Sequence, residues 1–339
     1  MAKQSYVSLG ERVILGIDHL LATVLSSSPY RWSSGVLRRF GLRGRTLVIA
    51  VPWVWLLCFF LVPFIIVLKI SFAETRWLGT PPYSPLFEWI DAQFLQVRFN
   101  LGNYFFLARD SLYINAFLSS LKVASVSTIF CLLIGYPMAY AIARADTKWR
   151  NVLLLLVILP FWTSFLLRVY AWMGLLGNNG LINQVLMAVG ILEEGQPLVM
   201  LNTDFAMYVG IVYSYLPFMI LPLYSNLEKH DLTLLEAAVD LGCKPFKAFL
   251  SITLPLSMSG VIAGSMLVFI PAVGEFVIPR LLGGTDSLMI GRVLWDEYFL
   301  NRNWPVASAV AIALLIVLVI PIMVFQRFQM QEAGASARR

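Results

Sequence analysis

Long apolar segments alternate with short polar segments along the chain. The hydrocarbon core of a bilayer is about 30 Å thick, so a helix needs about 20 consecutive apolar residues to cross it. Segments of this length can be drawn at residues 47–72, 114–143, 152–176, 205–227, 254–282 and 305–325. The pattern predicts an all-α integral membrane protein with about six transmembrane helices. Internal prolines, among them Pro137, Pro160 and Pro271, predict that several of these helices are kinked or broken.

Composition and charge placement agree with a membrane protein. Hydrophobic residues make up 59% of the chain and charged residues 13%, which is outside the range of soluble domains. Lysine and arginine concentrate in alternate loops, which the positive-inside rule places in the cytoplasm. These residues are Arg31, Arg38, Arg39, Arg43 and Arg45 before the first segment, Arg144, Lys148 and Arg150 after the second, Lys229, Lys244 and Lys247 after the fourth, and Arg327, Arg338 and Arg339 after the sixth. Both termini are therefore predicted to be cytoplasmic.

The same pattern divides the chain into three parts. Residues 1–46 are predicted to be a cytoplasmic segment, in which residues 11–25 form an amphipathic helix on the membrane lipid. Residues 47–326 form the transmembrane domain, and residues 327–339 form a cytoplasmic tail. The net charge of +6 comes from clusters that flank the membrane and not from one basic face, so nucleic acid is not expected as a partner.

The sequence offers little catalytic chemistry. Its two histidines, His19 and His230, lie far apart, so a metal site or a Ser-His-Asp triad has few residues to draw on. No phosphate-binding P-loop sequence occurs in the chain. We therefore expect a protein that is not an enzyme, that binds no cofactor or metal itself, and that takes its energy from a partner.

A distinctive pattern lies between the fourth and fifth apolar segments. Apolar residues recur on one helical face of residues 227–241, and Gly242 follows them. A glycine just past a helix closes its last turn, and a proline such as Pro245 suits the first turn of the next helix. The pattern predicts a helix-turn-helix at about residues 228–255, with a second helix that reaches residue 249. An ordinary amphipathic loop packed on its own bundle is the alternative.

This segment resembles the EAA loop of permease subunits from ATP-binding-cassette (ABC) importers. The residues that carry the likeness are Glu236, Ala237, Ala238, Gly242, Ile252, Leu254 and Pro255. Together with Asp240 they are the predicted site of coupling to a separate ATPase subunit. The resemblance implies the type I ABC importer permease (MetI-like) fold, and the cytoplasmic position of the loop agrees with it.

Other runs resemble the spermidine/putrescine permeases, with a particular likeness to a putrescine permease. They are residues 134–137 (IGYP), 159–173 (LPFWTSFLLRVYAWM), 274–284 (GEFVIPRLLGG), 289–293 (MIGRV) and 303–309 (NWPVASA). The likeness extends over about residues 45–326. It implies a permease of the bacterial inner membrane that imports a polyamine by alternating access.

The resemblance also implies the partners of the chain. A second, related permease subunit would complete a heterodimer, and two copies of a cytoplasmic ATPase would use ATP and Mg²⁺. A periplasmic binding protein would deliver the polyamine. The cargo pathway would run between the two permeases, so that this chain holds one wall of it.

Candidate pathway residues lie in the third, fourth and fifth apolar segments. Glu275 is an acid inside an apolar segment, where charges are costly and are usually functional or paired. It is predicted either to attract a cationic cargo or to form a structural ion pair with Arg168 or Arg280. Aromatic rings can hold ammonium groups by cation–π attraction, although they also gather at membrane interfaces. The aromatic candidates are Trp162, Tyr170, Trp172, Tyr213 and Tyr215.

Two alternatives remain at this point. The first is an ABC permease of the same architecture with another small solute as cargo. An importer of anions would more naturally line its path with basic groups than with Glu275. The second is a polytopic membrane enzyme, which would need a cluster of His, Asp or Glu residues at one membrane face.

Overall fold

A computed structural model describes residues 44–76, 79–90, 94–193, 195–284 and 287–336. The predicted interfacial helix at residues 11–25 lies outside these ranges, as do residues 337–339 of the predicted tail. The chain divides into two compact units, Met1–Ile66 and Val67–Arg339. In the first unit, every described residue is helical, because α1 (Gly44–Leu56) continues into a π-helical turn (Leu57–Leu61) and then into the start of α2 (Val62–Ser71).

The second unit is mainly helical. After the end of α2, its elements are β1 (Phe87–Ile90), β2 (Phe94–Val97), α3 (Gly102–Arg109), α4 (Ser111–Arg144), α5 (Thr147–Ile158), a 3₁₀ turn (Leu159–Trp162), α6 (Phe165–Leu176), α7 (Leu181–Ala188), α8 (Asp204–Leu227), α9 (Thr233–Asp240), α10 (Pro245–Ala248), a π-helical turn (Phe249–Thr253), α11 (Leu254–Leu256), α12 (Met258–Val273), α13 (Val277–Leu281), α14 (Ile290–Trp295), a π-helical turn (Asp296–Leu300) and α15 (Trp304–Ser336).

The six predicted spans correspond to helices in the structure. Within the described ranges, four continuous helices are long and apolar enough to cross a membrane, namely Val48–Ser71, Ser111–Arg144, Asp204–Leu227 and Trp304–Met323. Two further spans are bent pairs, Thr147–Trp162 with Phe165–Ala188 and Pro245–Leu256 with Met258–Val273. Counting each bent pair as one crossing gives six, so the helical membrane fold is confirmed. The last helix continues to Ser336, beyond the predicted end of its span at residue 325.

A short hairpin departs from the all-α prediction outside the spans. Strands β1 and β2 pair antiparallel between the first and second spans, with Phe87 opposite Val97. Aromatic and branched residues favour strands where no helical apolar periodicity competes, and both strands are rich in them.

The third span bends by 92° between its two halves. Pro160 lies in the 3₁₀ turn, and the backbone of Thr163 and Ser164 is extended. The side-chain hydroxyl of Thr163 donates to the carbonyl of Pro160 at 2.7 Å, and its N–H donates to the same oxygen at 3.2 Å. At the break predicted from Pro160, the carbonyl of this proline is thus hydrogen-bonded within the chain, as a membrane environment requires.

The core of the second unit is built around α8. This helix packs against both α4 and α12, which also contact each other. Glycines permit the close approach, since a β-carbon added to Gly264 would lie 2.8 Å from Sδ and 3.1 Å from the carbonyl oxygen of Met219 on α8. A β-carbon added to Gly260, four residues earlier, would lie 2.8 Å from Cβ of Asn226. Small residues spaced in this way let helices approach where lipid provides no hydrophobic driving force.

We expect Gly264→Ala to destabilise the bundle, because overpacking a tight helix contact costs about 1–3 kcal/mol. The matched control is Gly174→Ala, since a β-carbon at this helical glycine meets nothing within 4 Å. The thermal unfolding midpoint of each purified variant in detergent is the measurement. The midpoint should fall for Gly264→Ala alone, and equal midpoints for both variants would contradict the packing argument.

Candidate functional site

The loop between α8 and α12, residues 228–255, forms the predicted helix-turn-helix, and we call it the coupling loop. Gly242 follows α9 with φ of 77°, in the left-handed region. The N–H of Gly242 donates to the carbonyl of Val239 at 2.8 Å, and the N–H of Cys243 donates to the carbonyl of Ala238 at 2.9 Å. These bonds form a Schellman motif, which satisfies carbonyls at the helix end. The turn predicted from Gly242 is therefore confirmed.

The first helix of this loop is shorter than predicted. The sequence favoured one helix over residues 227–241, whereas α8 ends at Leu227 and α9 begins at Thr233. Oδ1 of Asp231 accepts the N–H of Thr233 at 3.0 Å. A short acidic side chain that bonds to nearby backbone competes with helix continuation, which accounts for the interruption. The second helix, α10, passes into the π-helical turn at Phe249.

The coupling loop presents large apolar side chains at its tip. Leu241 is 88% exposed and Phe246 is 74% exposed. Among the predicted coupling residues, Glu236, Ala237, Asp240, Gly242 and Pro255 are exposed, while Ala238, Ile252 and Leu254 are partly buried. Exposed apolar side chains at neighbouring positions are typical of protein contact surfaces. The geometry therefore suits a loop that docks on another protein.

Glu275 lies in the break between α12 and α13 and is only 8% exposed. Its Oε1 accepts the backbone N–H groups of Phe276 at 3.1 Å and Val277 at 3.0 Å, and that of Ile278 at 3.4 Å. Its Oε2 accepts the hydroxyl of Tyr215 at 2.5 Å. Both carboxylate oxygens are thus occupied by donors of this chain, which compensates for burying the acid.

Neither ion pair expected for Glu275 forms. Arg280 pairs with Asp296, Nη1 to Oδ1, at 3.2 Å. The guanidinium of Arg168 lies over the rings of Phe161 and Phe165, at 5.3 and 5.8 Å from their centroids. Its Nε and Nη1 atoms are buried and have no hydrogen-bond partner among the residues that the structure describes. Backbone donors and a tyrosine take the place that the sequence analysis gave to an arginine.

An apolar groove of about 610 Å³ lies among α4, α6 and α8, and we call it the aromatic groove. Its lining residues are Phe130, Ile134, Trp172, Phe205, Tyr208, Val209, Val212, Tyr213 and Leu216. Trp172 and Tyr213 meet edge to face with ring centroids 5.3 Å apart, and Phe130 and Tyr208 do so at 6.4 Å. The groove offers ring and aliphatic surface, with almost no polar group exposed in it.

The structure separates the predicted pathway residues. Trp172 and Tyr213 share the aromatic groove, whereas Tyr215 bonds to Glu275. A step of two residues turns an α-helix by about 200° around its axis. Tyr213 and Tyr215 therefore occupy different faces of α8. Trp162 and Tyr170 line neither place; they are 74% and 54% exposed.

Three aromatic residues of the groove, Phe130, Phe205 and Tyr208, were not among the sequence candidates. Phe130 belongs to a continuous apolar run, in which no polar neighbour indicates which side chain faces a cavity. Tyr208 lies one helical turn before Val212, so its spacing within the fourth segment was an available signal. In the described part of the chain, no cluster of His, Cys, Asp or Glu residues could hold a metal ion.

Known proteins with similar sequences are transport permeases. The chain is 41% identical over 281 residues to the spermidine/putrescine transport system permease protein PotB of Haemophilus influenzae, covering 83% of this chain and 92% of that protein. It is 38% identical to PotB of Escherichia coli, covering 80% and 93%. It is 28% identical over 254 residues to the molybdenum transport system permease protein ModB of Mycobacterium bovis, covering 74% and 92%. The particular likeness to a putrescine permease stays a prediction.

A solved structure supports the fold. A chain of a bacterial ABC transporter that imports the acidic polysaccharide alginate superposes with a TM-score of 0.62 at 15% identity, covering 88% of this chain and 99% of that chain. At this identity the likeness concerns the fold alone. The relatives are permease proteins, so the chain is a non-catalytic permease subunit.

The family described as binding-protein-dependent transport system inner membrane component matches residues 131–331, which include the coupling loop, the break at Glu275 and most of the aromatic groove. With more than half of the chain matched and PotB relatives aligned along most of their length, the chain belongs to this family of ABC importer permeases.

Proposed function

We propose that the chain is the permease subunit of an ATP-driven importer that moves a polyamine, most specifically putrescine, across the bacterial inner membrane by alternating access. The observation that carries the proposal is the similarity to PotB proteins together with an exposed coupling loop of the expected geometry. Both termini lie in the cytoplasm, on the side of the coupling loop. This orientation rests on the distribution of lysine and arginine.

The partners are those of a heterodimeric importer. A second permease subunit completes the translocation path, two copies of an ATPase bind the two coupling loops and use ATP and Mg²⁺, and a periplasmic binding protein delivers the polyamine. The exposed Leu241 and Phe246 supply apolar contact to the ATPase. When the ATPase dimer closes on ATP, the coupling loops move together and the spans open towards the binding protein. Differential binding of the two conformations, and not chemistry on the cargo, produces transport.

The aromatic groove is the part of the cargo path that we assign to this chain. Its aliphatic surface suits the methylene spacer of a polyamine, and the rings of Trp172 and Tyr213 suit its ammonium groups. The carboxylates that an ammonium group needs must then come from the second permease, because the groove lining has none. Glu275 acts indirectly, by fixing Tyr215 and the start of α13.

A second candidate is the import of another small solute by the same fold. The similarity to ModB supports it, since that relative is named for molybdenum transport. The lower identity to ModB than to PotB and the absence of basic residues from the groove favour a polyamine.

We expect Glu236→Lys to uncouple ATP hydrolysis from uptake, because it reverses the charge of an exposed side chain in the first turn of α9. The measurement is the ratio of polyamine uptake to ATP hydrolysis by the reconstituted complex. Glu193→Lys is the matched control, because Glu193 is an exposed acid in the loop after α7 whose side chain accepts a surface hydrogen bond from Gln196. A normal ratio for Glu236→Lys at wild-type expression would remove this residue from the coupling role.

Gly242→Val should damage the same function by a different cause. A side chain in the left-handed conformation costs about 1–2 kcal/mol, and most for a β-branched residue. Gly242→Asn is the matched control, because asparagine tolerates this conformation and an added β-carbon meets nothing within 4 Å. Hydrogen exchange of the coupling loop should accelerate in Gly242→Val, with lower uptake per ATP. If both variants behave alike, the turn conformation does not matter for coupling.

Uptake of radiolabelled putrescine tests the cargo and its path. Polyamine-auxotrophic cells would carry the full set of subunits, with spermidine as competitor. We expect Trp172→Ala to raise KM about threefold or more through the lost cation–π contact. Glu275→Gln should lower the maximal rate without raising KM, because its carboxylate is engaged within the chain.

A rise in KM for Glu275→Gln would instead place this carboxylate on the cargo path. If wild-type cells take up no polyamine but accumulate another solute, the chain is still an importer permease, but the proposed polyamine cargo is contradicted. Leu118→Ala, at an exposed position of α4 outside the groove, controls for general effects of truncation.

A further inference from the structure

The coupling loop has an exposed tip and a buried part next to α12. Its tip carries the exposed side chains of Leu241 and Phe246. Towards α12 the burial reverses, since Ala248 is 3%, Thr253 is 1% and Ser257 is 0% exposed. One route from the tip to the membrane-spanning helices therefore runs through the residues from 248 to 257.

Phe249 is held in this buried part by two tyrosines of α4. Its ring meets those of Tyr136 and Tyr140 edge to face, with centroids 5.6 and 6.0 Å apart and interplanar angles of 89° and 88°. The tyrosines are four residues apart, so they lie on one face of α4, one turn from each other. Edge-to-face ring pairs contribute about 0.5–1.5 kcal/mol each beyond the area they bury, so these contacts favour a fixed position of Phe249 against α4.

A buried hydrogen bond lies beside this ring cluster. The hydroxyl oxygens of Tyr136 and Ser257 are 2.8 Å apart. The hydroxyl of Ser257 donates its only proton to the carbonyl of Leu254 at 2.9 Å, so Tyr136 is the donor to Ser257. Ser257 stands at the 64° bend between the buried part of the coupling loop and α12. The bond therefore ties the bend to α4.

The backbone at this place departs from the α-helix. The turn at Phe249–Thr253 is π-helical, with the N–H of Leu254 bonded to the carbonyl of Phe249. Single π-helical turns are common at functional sites, since they insert an extra residue and reorient the side chains around it. Here the turn begins at the residue that the tyrosines hold.

The same helix reaches the aromatic groove. Phe130 and Ile134 of α4 line the groove, and Tyr136 follows two residues after Ile134. A displacement of α4 at Tyr136 is therefore also a displacement of one groove wall. This continuity connects the coupling loop to the cargo site through a single helix.

We propose that Tyr136 is a positioning residue for coupling: its ring and hydroxyl hold Phe249 and Ser257, so that motion received at the tip of the coupling loop moves α4. Without these contacts, the angle at Ser257 changes when the tip of the coupling loop moves, and α4 does not follow. The proposal rests on the proposed function, because it needs an ATPase that drives the tip. Tyr136 is not among the residues that line the aromatic groove.

The experiment compares Tyr136→Phe with Tyr140→Phe in the full complex, reconstituted in proteoliposomes with the binding protein. Both variants keep the ring, but Tyr136→Phe alone removes a hydrogen bond, because the hydroxyl of Tyr140 has no such partner within the described residues. The number of ATP molecules hydrolysed per polyamine imported is measured. It should rise about two- to tenfold for Tyr136→Phe, as the loss of one buried hydrogen bond implies. Tyr140→Phe should match the wild type.

Ser257→Ala removes the same bond from the other side and should reproduce the effect of Tyr136→Phe. The double variant should be no worse than either single variant, since only one bond is lost. The KM for putrescine should stay unchanged, which a distorted groove would not allow. Thermal midpoints and the amount of copurified ATPase report on folding and docking.

The outcomes separate the two proposals. A wild-type complex that binds no ATPase, or that imports no polyamine, would overturn the proposed function. A wild-type complex that imports polyamine, with equal ATP cost for Tyr136→Phe and Tyr140→Phe, would overturn the role of Tyr136 alone. Additive effects of Tyr136→Phe and Ser257→Ala would also overturn it.

Discussion

The structure depends above all on the requirement that backbone polar groups be satisfied inside the chain wherever lipid replaces water. Continuous helices meet it automatically, but this chain also breaks two of its spans. At the first break the hydroxyl of Thr163 serves the carbonyl of Pro160. At a further interruption, between α12 and α13, one oxygen of Glu275 accepts three successive backbone N–H groups. At both places a side chain makes the hydrogen bonds that water would otherwise make to the backbone. This requirement explains why an acid is retained at a place where its charge is costly.

The sequence predicted the features that one segment determines by itself. Span positions follow from apolar length, and the turn at Gly242 follows from a conformation that other residues rarely adopt. Features that depend on which face of one helix packs against another could not be predicted from the sequence. Tyr215 and Glu275 are 60 residues apart, and α8 is too uniformly apolar for its periodicity to show which face meets α12. For the same reason, the hydrogen-bond partners of Glu275 differ from the predicted arginines, and the place of Phe130 in the aromatic groove could not be predicted. Pro160 indicated a break, but not its angle of 92°.

The two faces of α8 make different contacts. One face presents Tyr213 to the aromatic groove, and the other directs Tyr215 to the buried carboxylate. The carboxylate consequently lies behind the groove wall and not within it. Under the proposed function, Glu275 would thus act on the groove indirectly, through Tyr215 and through the start of α13, which its hydrogen bonds hold in place.

The groove also limits what this chain can do by itself. Removing an ammonium group from water costs several kcal/mol unless an acceptor or a charge replaces the lost hydration. Rings return only about 0.5–2 kcal/mol each, and the groove lining supplies no carboxylate. A polyamine would therefore not stay in the groove without a second wall, and a wall that moves can release it. Phe130 and Tyr136 are six residues apart on α4, which is about 9 Å along the axis. Under the proposed function, one helix thus connects the coupling loop over that short distance to the groove wall that would face the cargo.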